Sequence, residues 1–138
     1  MRQQIMNKIA VDTNVLLYFL DISFPERRKV AAEIITHKPI FNSQSLSELI
    51  NVLNRRWKFP KEKILRIVSG FMEECEYIPL TSRMVTTSFE LVKKYDFQIF
   101  DAFIVTLALE ADCDILYSED MQHKLVVEQK LTIINPFI

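Results

Sequence analysis

Residues 11–20 read VDTNVLLYFL, and Lys8, Ile9 and Ala10 lead into them. One apolar run reaches Asp12, and a second starts at Val15. That pattern reads as a short buried strand over 8–12 followed by a helix over 13–20. Asp12 then stands at the carboxyl end of the strand. It is either the cap of the helix or a charge delivered to a particular place.

The same alternation continues along the chain. Phe24-Pro25 opens a helix through about Thr36, with Val30, Ala31, Ile34 and Ile35 on one face, and proline suits the first helical turn. Pro39 to Asn42 reads as a strand. Gln44 to Trp57 reads as a helix that buries Leu46, Leu49, Ile50 and Leu53. Pro60 to about Glu74 is a helix burying Ile64, Ile67, Val68 and Phe71, and Glu76 to Leu80 is a strand. Ser82 to Tyr95 is helical, with Val85, Phe89 and Val92 expected inward. Asp101 to Asp112 is apolar nearly all round, so it should be deeply buried. Ile115 to Ser118 and Thr132 to Asn135 close the series. Strands alternating with helices imply an α/β fold: a central parallel sheet of about four to five short strands with helices on both faces.

At 138 residues the chain has the size of one domain, residues 1–138, large enough to bury most of its apolar surface. It holds one glycine where average usage gives roughly ten, so its turns must rely on Asn, Asp, Ser and Pro. Cys75 and Cys113 form no CxxC or zinc spacing; they read as reduced thiols of a cytoplasmic protein. No secretory signal and no membrane span is expected, because Val15–Leu20 is only a short apolar run and Asp12 interrupts anything longer. The net charge is −1, but it is unevenly spread. Residues 1–70 carry 12 Lys/Arg against 6 Asp/Glu, and residues 71–138 carry 5 against 12. Arg55, Arg56, Lys58, Lys61, Lys63 and Arg66 crowd together with only Glu62 among them. Such a stretch is either a solvated helix pair or a surface that faces phosphates.

In open α/β sheets, ligands bind outside the carboxyl ends of the strands. Four acids fall at such junctions. Asp12 ends the first strand, Glu48 lies in the first turn of the helix after the second, Asp101 begins the most apolar helix, and Asp120 follows the strand Ile115–Ser118. Each has an ordinary explanation. Asp12 and Asp101 could cap helices, Ser45 and Glu48 could form a capping box, and Asp120 could be a turn residue. Gathered at one edge, the four would repel one another unless a cation joined them. Mg²⁺ or Mn²⁺ suits such a site, held by a few carboxylates plus water.

VDTNVLL resembles the opening of PIN-domain nucleases. DAFIVTLALEADCDILYSED (101–120) is similar to their second half, and the INPF close (134–137) to the tail of many bacterial PIN toxins. The resemblance covers about residues 8–137. It implies a PIN-like fold and a Mg²⁺- or Mn²⁺-dependent ribonuclease, a VapC-like toxin of a type II toxin–antitoxin system. On this resemblance the catalytic and metal-binding acids are Asp12, Glu48, Asp101 and Asp120, with Glu119 beside the last as a competitor. Thr13, Asn14 and Ser118 match the polar neighbours that orient them. RNA would be the substrate, with Arg55, Arg56 and Lys58 as candidate contacts. A cognate antitoxin and a homodimer are the implied partners. Similar toxins often carry glycines after the last acid. This chain has His123-Lys124-Leu125 and Glu128-Gln129-Lys130 there, which leaves the shape of the 121–130 loop open.

Three other readings compete. The scaffold could persist as a silent binding or regulatory module, although all four acids are present. A phosphatase of the haloacid-dehalogenase type also opens strand–Asp, but it needs a second Asp two residues on, where this chain has Asn14. A purely structural protein is the third. Neither histidine fits a nucleophilic scheme: His37 reads as a surface helix-end residue, and His123 as part of a solvated loop close to the acids.

Overall fold

The computed structural model of the chain describes residues 7–138. The absence of a signal pattern was read partly from residues 1–6, which lie outside the described residues. Among the described residues six strands are interspersed with six α-helices: β1 (Ile9–Val11), α1 (Thr13–Leu20), α2 (Pro25–Ile35), β2 (Ile40–Asn42), α3 (Ser43–Asn51), α4 (Lys61–Glu74), β3 (Glu76–Ile78), α5 (Ser82–Tyr95), α6 (Ile99–Glu110), β4 (Ile115–Tyr117), β5 (Val126–Val127) and β6 (Leu131–Ile134). The sheet order is β3-β2-β1-β4-β6-β5. Every pairing is parallel except that of β5 with β6. No helix among the described residues is long and apolar enough to cross a membrane.

Side chains alternate across a strand, and here the alternation feeds two separate cores. Ala10, Ile40, Leu116 and Ile133 face a core built with α5 and α6. Val11, Phe41 and Tyr77 face one built with α1 to α4. Helices thus cover both faces. Helix α6 is buried from Ile104 through Ala108, as its all-round apolar sequence requires.

The differences from the sequence reading have physical causes. The helix expected to run to Trp57 is α-helical only to Asn51 and passes into a π-helical turn, Val52–Arg56. Ile50 is at the exposed rim and not in the core. In α5 the period is right and the phase is not. Ser88 and Leu91 are buried, Met84 and Tyr95 pack on the same core, and Phe89 is 47% exposed. A serine can take the inward position because its hydroxyl donates back to the Val85 carbonyl at 2.6 Å, leaving no unpaired polar group in the core.

The sixth strand, β5, was not expected. It forms a hairpin with β6 through Glu128 and Gln129, both with left-handed backbone (φ 52° and 57°), closed by Lys130 N–H donating to the Val127 carbonyl at 3.0 Å. That is the pattern of a type I′ turn, which normally uses Asn-Gly. Lys124, in the same loop, is also left-handed. The loop thus adopts left-handed backbone at three positions, none of them glycine.

Candidate active site

The strand order reverses direction between β1 and β4, both neighbours of the sheet centre. This is the topological switch point, where α/β sheets open a crevice at their carboxyl edge. Asp12 leaves β1 there and Asp120 follows β4. Glu48 comes from α3, in its second turn and not its first, and Asp101 from the first turn of α6. All four line one cavity of ≈ 350 Å³, together with Thr13, Asn14, Asn51 and Val52.

The ordinary explanations fail for two of the acids, Asp101 and Glu48, while Asp120 does lie in a bend after β4. Asp12 does cap α1, accepting from Thr13 N–H at 2.7 Å. Asp101 caps nothing, since the N-cap of α6 is Gln98. The capping box is absent: Asn42 caps α3 by accepting from Ser45 N–H at 3.0 Å, and Ser45 is inside the helix. Glu48 instead accepts from the Thr13 hydroxyl at 2.9 Å and from the Gln44 amide at 3.0 Å.

The three polar neighbours of the acids hold them in place. The Ser118 hydroxyl, fully buried, donates to Asp12 Oδ2 at 2.8 Å and accepts from the backbone N–H of Asp120 and Met121. Asn14 bridges the strand ends: its Nδ2 donates to Asp120 at 3.3 Å and its Oδ1 accepts from Glu119 N–H at 3.3 Å. Asp12, Glu48 and Asp120 are thus each held by another junction residue.

The electrostatics are those of an anionic cluster. Burial pushes the Asp12 carboxyl up from 3.8 to about 6; the Ser118 and Thr13 hydrogen bonds oppose this, and the charges of Glu48 and Asp101 add to it. Asp101 is raised by burial first and then by Asp120 and Glu48. Among the described residues, no three His, Cys, Asp or Glu side chains are grouped closely enough to hold a metal ion between them. The donor set still fits a hard divalent cation. Mg²⁺ takes one or two carboxylates and completes its shell with water and substrate phosphate, and buried repelling carboxylates are relieved by a cation.

The remaining candidates divide. Glu119 is engaged elsewhere, accepting from Tyr18 Oη at 2.9 Å and from Arg27 at 3.0 Å, so it does not line the acid cavity. Arg56 lines a neighbouring cavity. Arg55 and Lys58 are exposed. His123 Nδ1 accepts from Asn135 N–H at 2.9 Å and ties the loop to the end of β6. His37 lies just past the end of α2, near Glu33. Gln44, Asn51, Tyr18 and Arg27 were not singled out in the sequence. Only Gln44 had a signal, its i, i+4 spacing to Glu48.

No curated protein matches the chain in sequence. Solved structures share its fold. VapC20 of Mycobacterium tuberculosis, a sarcin–ricin loop cleaving toxin, has 18% identity over 82% of this chain and 90% of its own, with a TM-score of 0.66. A toxin–antitoxin complex from Klebsiella pneumoniae has 14% identity, covers 94% and 97%, and scores 0.69. DNA-bound VapBC from Salmonella typhimurium has 17% identity, covers 93% and 97%, and scores 0.67. At such identities the likeness is one of fold. Sequence decides the family: the PIN domain pattern matches residues 9–128, a span that takes in β1 and all four junction acids, and the chain belongs to the PIN domain family.

Proposed function

We propose that this chain is a single-domain, Mg²⁺- or Mn²⁺-dependent endoribonuclease of the cytoplasm, the toxin of a toxin–antitoxin pair. One observation carries the reading. Four carboxylates from four separate elements line one cavity at the switch point, and burial and mutual repulsion raise Asp12 and Asp101 there. Such a cluster is costly to the fold unless a cation completes it.

Asp12, Asp101 and Asp120 would hold the ion, directly or through water. Bound there, it lowers the pKa of its water, polarises the phosphoryl oxygen and offsets developing charge. Glu48, held by Thr13 and Gln44, completes the ligand set or orients the attacking water. Thr13, Asn14 and Ser118 fix the carboxylates, as groups behind metal ligands do. Arg55, Arg56 and Lys58 supply cations to the flanking phosphates, since a carboxylate site repels RNA on its own. An antitoxin partner agrees with the Klebsiella and Salmonella assemblies that share the fold, and a homodimer is the commonest assembly for such a chain. Cys75 and Cys113, buried and unbonded, suit a reducing compartment.

The deciding experiment is RNA cleavage by Asp101→Asn protein with Mn²⁺ or Mg²⁺ and chelator controls. Cleavage should vanish while the melting curve is retained. Wild-type cleavage in this variant would remove the metal-site reading.

A further inference from the structure

Beside the acid cavity lies a second one, of ≈ 360 Å³. The two share Asn14, Leu17, Val52 and Asp120, so they are adjoining compartments along one wall. The acid compartment suits a phosphate and its cation. The side compartment has a different character: Tyr18, Phe24 and Trp57 line it together with Asp21, Glu119 and Arg56.

Its aromatic wall is braced. Tyr18 and Phe24 meet edge to face at 5.6 Å. The Arg27 guanidinium lies 5.1 Å from the Tyr18 ring centre and 5.6 Å from that of Phe24. Arg27 and Tyr18 in turn hold Glu119. Trp57 is set by the π-helical turn, its backbone N–H donating to the Val52 carbonyl at 3.0 Å, and it lines the same cavity as Val52 and Arg56. Such π-turns inside helices occur frequently at functional sites. Asp21 Oδ1 accepts from Ser23 N–H at 2.9 Å, and Oδ2 has no partner among the described residues.

Aromatic faces stack on any nucleobase, whereas a carboxylate chooses among them because it only accepts. Uracil offers one N–H between two carbonyls. Adenine and cytosine offer an amine beside an acceptor nitrogen. Guanine alone offers two adjacent donors, N1–H and N2–H₂. We propose that this side compartment holds a guanine base next to the scissile phosphate. Asp21 takes its N1/N2 edge, Trp57 and one ring of the perpendicular Tyr18–Phe24 pair lie against its faces, and Arg56 stays on the phosphate that follows. This rests on the RNA-cleaving reading above.

The test uses fluorescence anisotropy of single-stranded hexauridylate carrying one central guanosine, inosine or adenosine, or none, with the full chain as Asp101→Asn so that binding is read without cleavage. Guanosine should bind roughly tenfold tighter than the all-uridine strand. Inosine, which lacks the N2 amine, should fall between them. Adding Asp21→Asn should erase the guanosine–inosine difference, and adding Phe24→Ala should weaken every purine-containing strand. In the unsubstituted protein the cuts should fall beside guanosine. If that protein cleaves RNA and chelator stops it, but all four strands bind alike or Asp21→Asn keeps the guanosine preference, the guanine compartment is refuted and the nuclease reading stands. If no strand binds and RNA stays intact, both fall.

Discussion

Replacing Asp12 by asparagine should stabilise the metal-free protein, by an amount set by pH. Burial moves this carboxyl from 3.8 to about 6 in the folded state. An acid raised on folding is favoured in its protonated form, so its contribution is fully present below 3.8 and lost as pH rises through about 6. A shift of that size corresponds to about 3 kcal/mol of destabilisation at pH 8. Asparagine has the shape of the neutral acid and never carries the charge. Its Oδ1 can still accept from Thr13 N–H, and its amide faces the Ser118 hydroxyl, which already accepts from two backbone N–H groups. Relative to wild type the variant should therefore gain about 3 kcal/mol between pH 3 and pH 8, about half of it by pH 5, offset at every pH by the lost Ser118 hydrogen bond. Urea unfolding of both proteins in EDTA across this range measures it. Added Mg²⁺ should reverse the ranking, because a cation that binds only the folded state stabilises by mass action and the variant has lost a ligand. A stability difference that stays flat across this pH range would show that burial does not strain the carboxylate, and the reasoning would fail.

Other substitutions separate roles that the site combines. Glu48→Gln leaves a side chain able to pair with Thr13 and Gln44, so the melting temperature should hold while turnover drops by roughly 10²–10⁴-fold; near-normal turnover would return Glu48 to a structural role. Arg55→Ala/Arg56→Ala should weaken RNA binding and flatten its salt dependence by a slope of about 1.4, two single-strand phosphate contacts' worth. An unchanged slope with escape from inhibition by a co-expressed antitoxin would assign the pair to the protein partner instead. Gln129→Gly should raise stability by about 1 kcal/mol, since it relieves a left-handed residue; a lowered melting temperature would mean that the turn is held by the glutamine side chain.

The residues that carry the architecture were those whose local preference and tertiary environment agree. Asp12 after an apolar strand and Asp101 before an apolar helix were legible because both neighbouring segments are buried. Four acids at element junctions could be grouped in advance because a parallel sheet brings the carboxyl ends of its strands and the amino-terminal turns of its helices to one edge. The π-turn at Val52–Arg56 was not legible. Its residues have ordinary helical composition, and the wider turn accompanies long-range packing of Leu53 and Trp57 in the core. The β5–β6 hairpin was hidden because Glu128-Gln129 carries no turn signature; the strand is set by pairing with β6, not by local preference. The phase of α5 was misjudged because Ser88 outranks Phe89 only once the bonded hydroxyl is counted. The role of Ser45 was misread because Asn42, placed at the end of a strand, turned out to be the cap.

The clamp on Asp12 has a consequence for synthesis. Its second oxygen is held by Ser118, 106 residues further along, and its own N–H donates to the Tyr117 carbonyl. Asn14 waits equally long for Asp120. A ribosome adding about 5–20 residues per second spends roughly 5–20 s between the first acid and its partners. During that interval the carboxylates of the early half have neither their final geometry nor their full number. On the nuclease reading proposed above, a nascent chain is silent until β4 has docked beside β1, and activity begins only with the finished fold. An inhibitor that recognises the assembled edge needs to arrive no earlier than that.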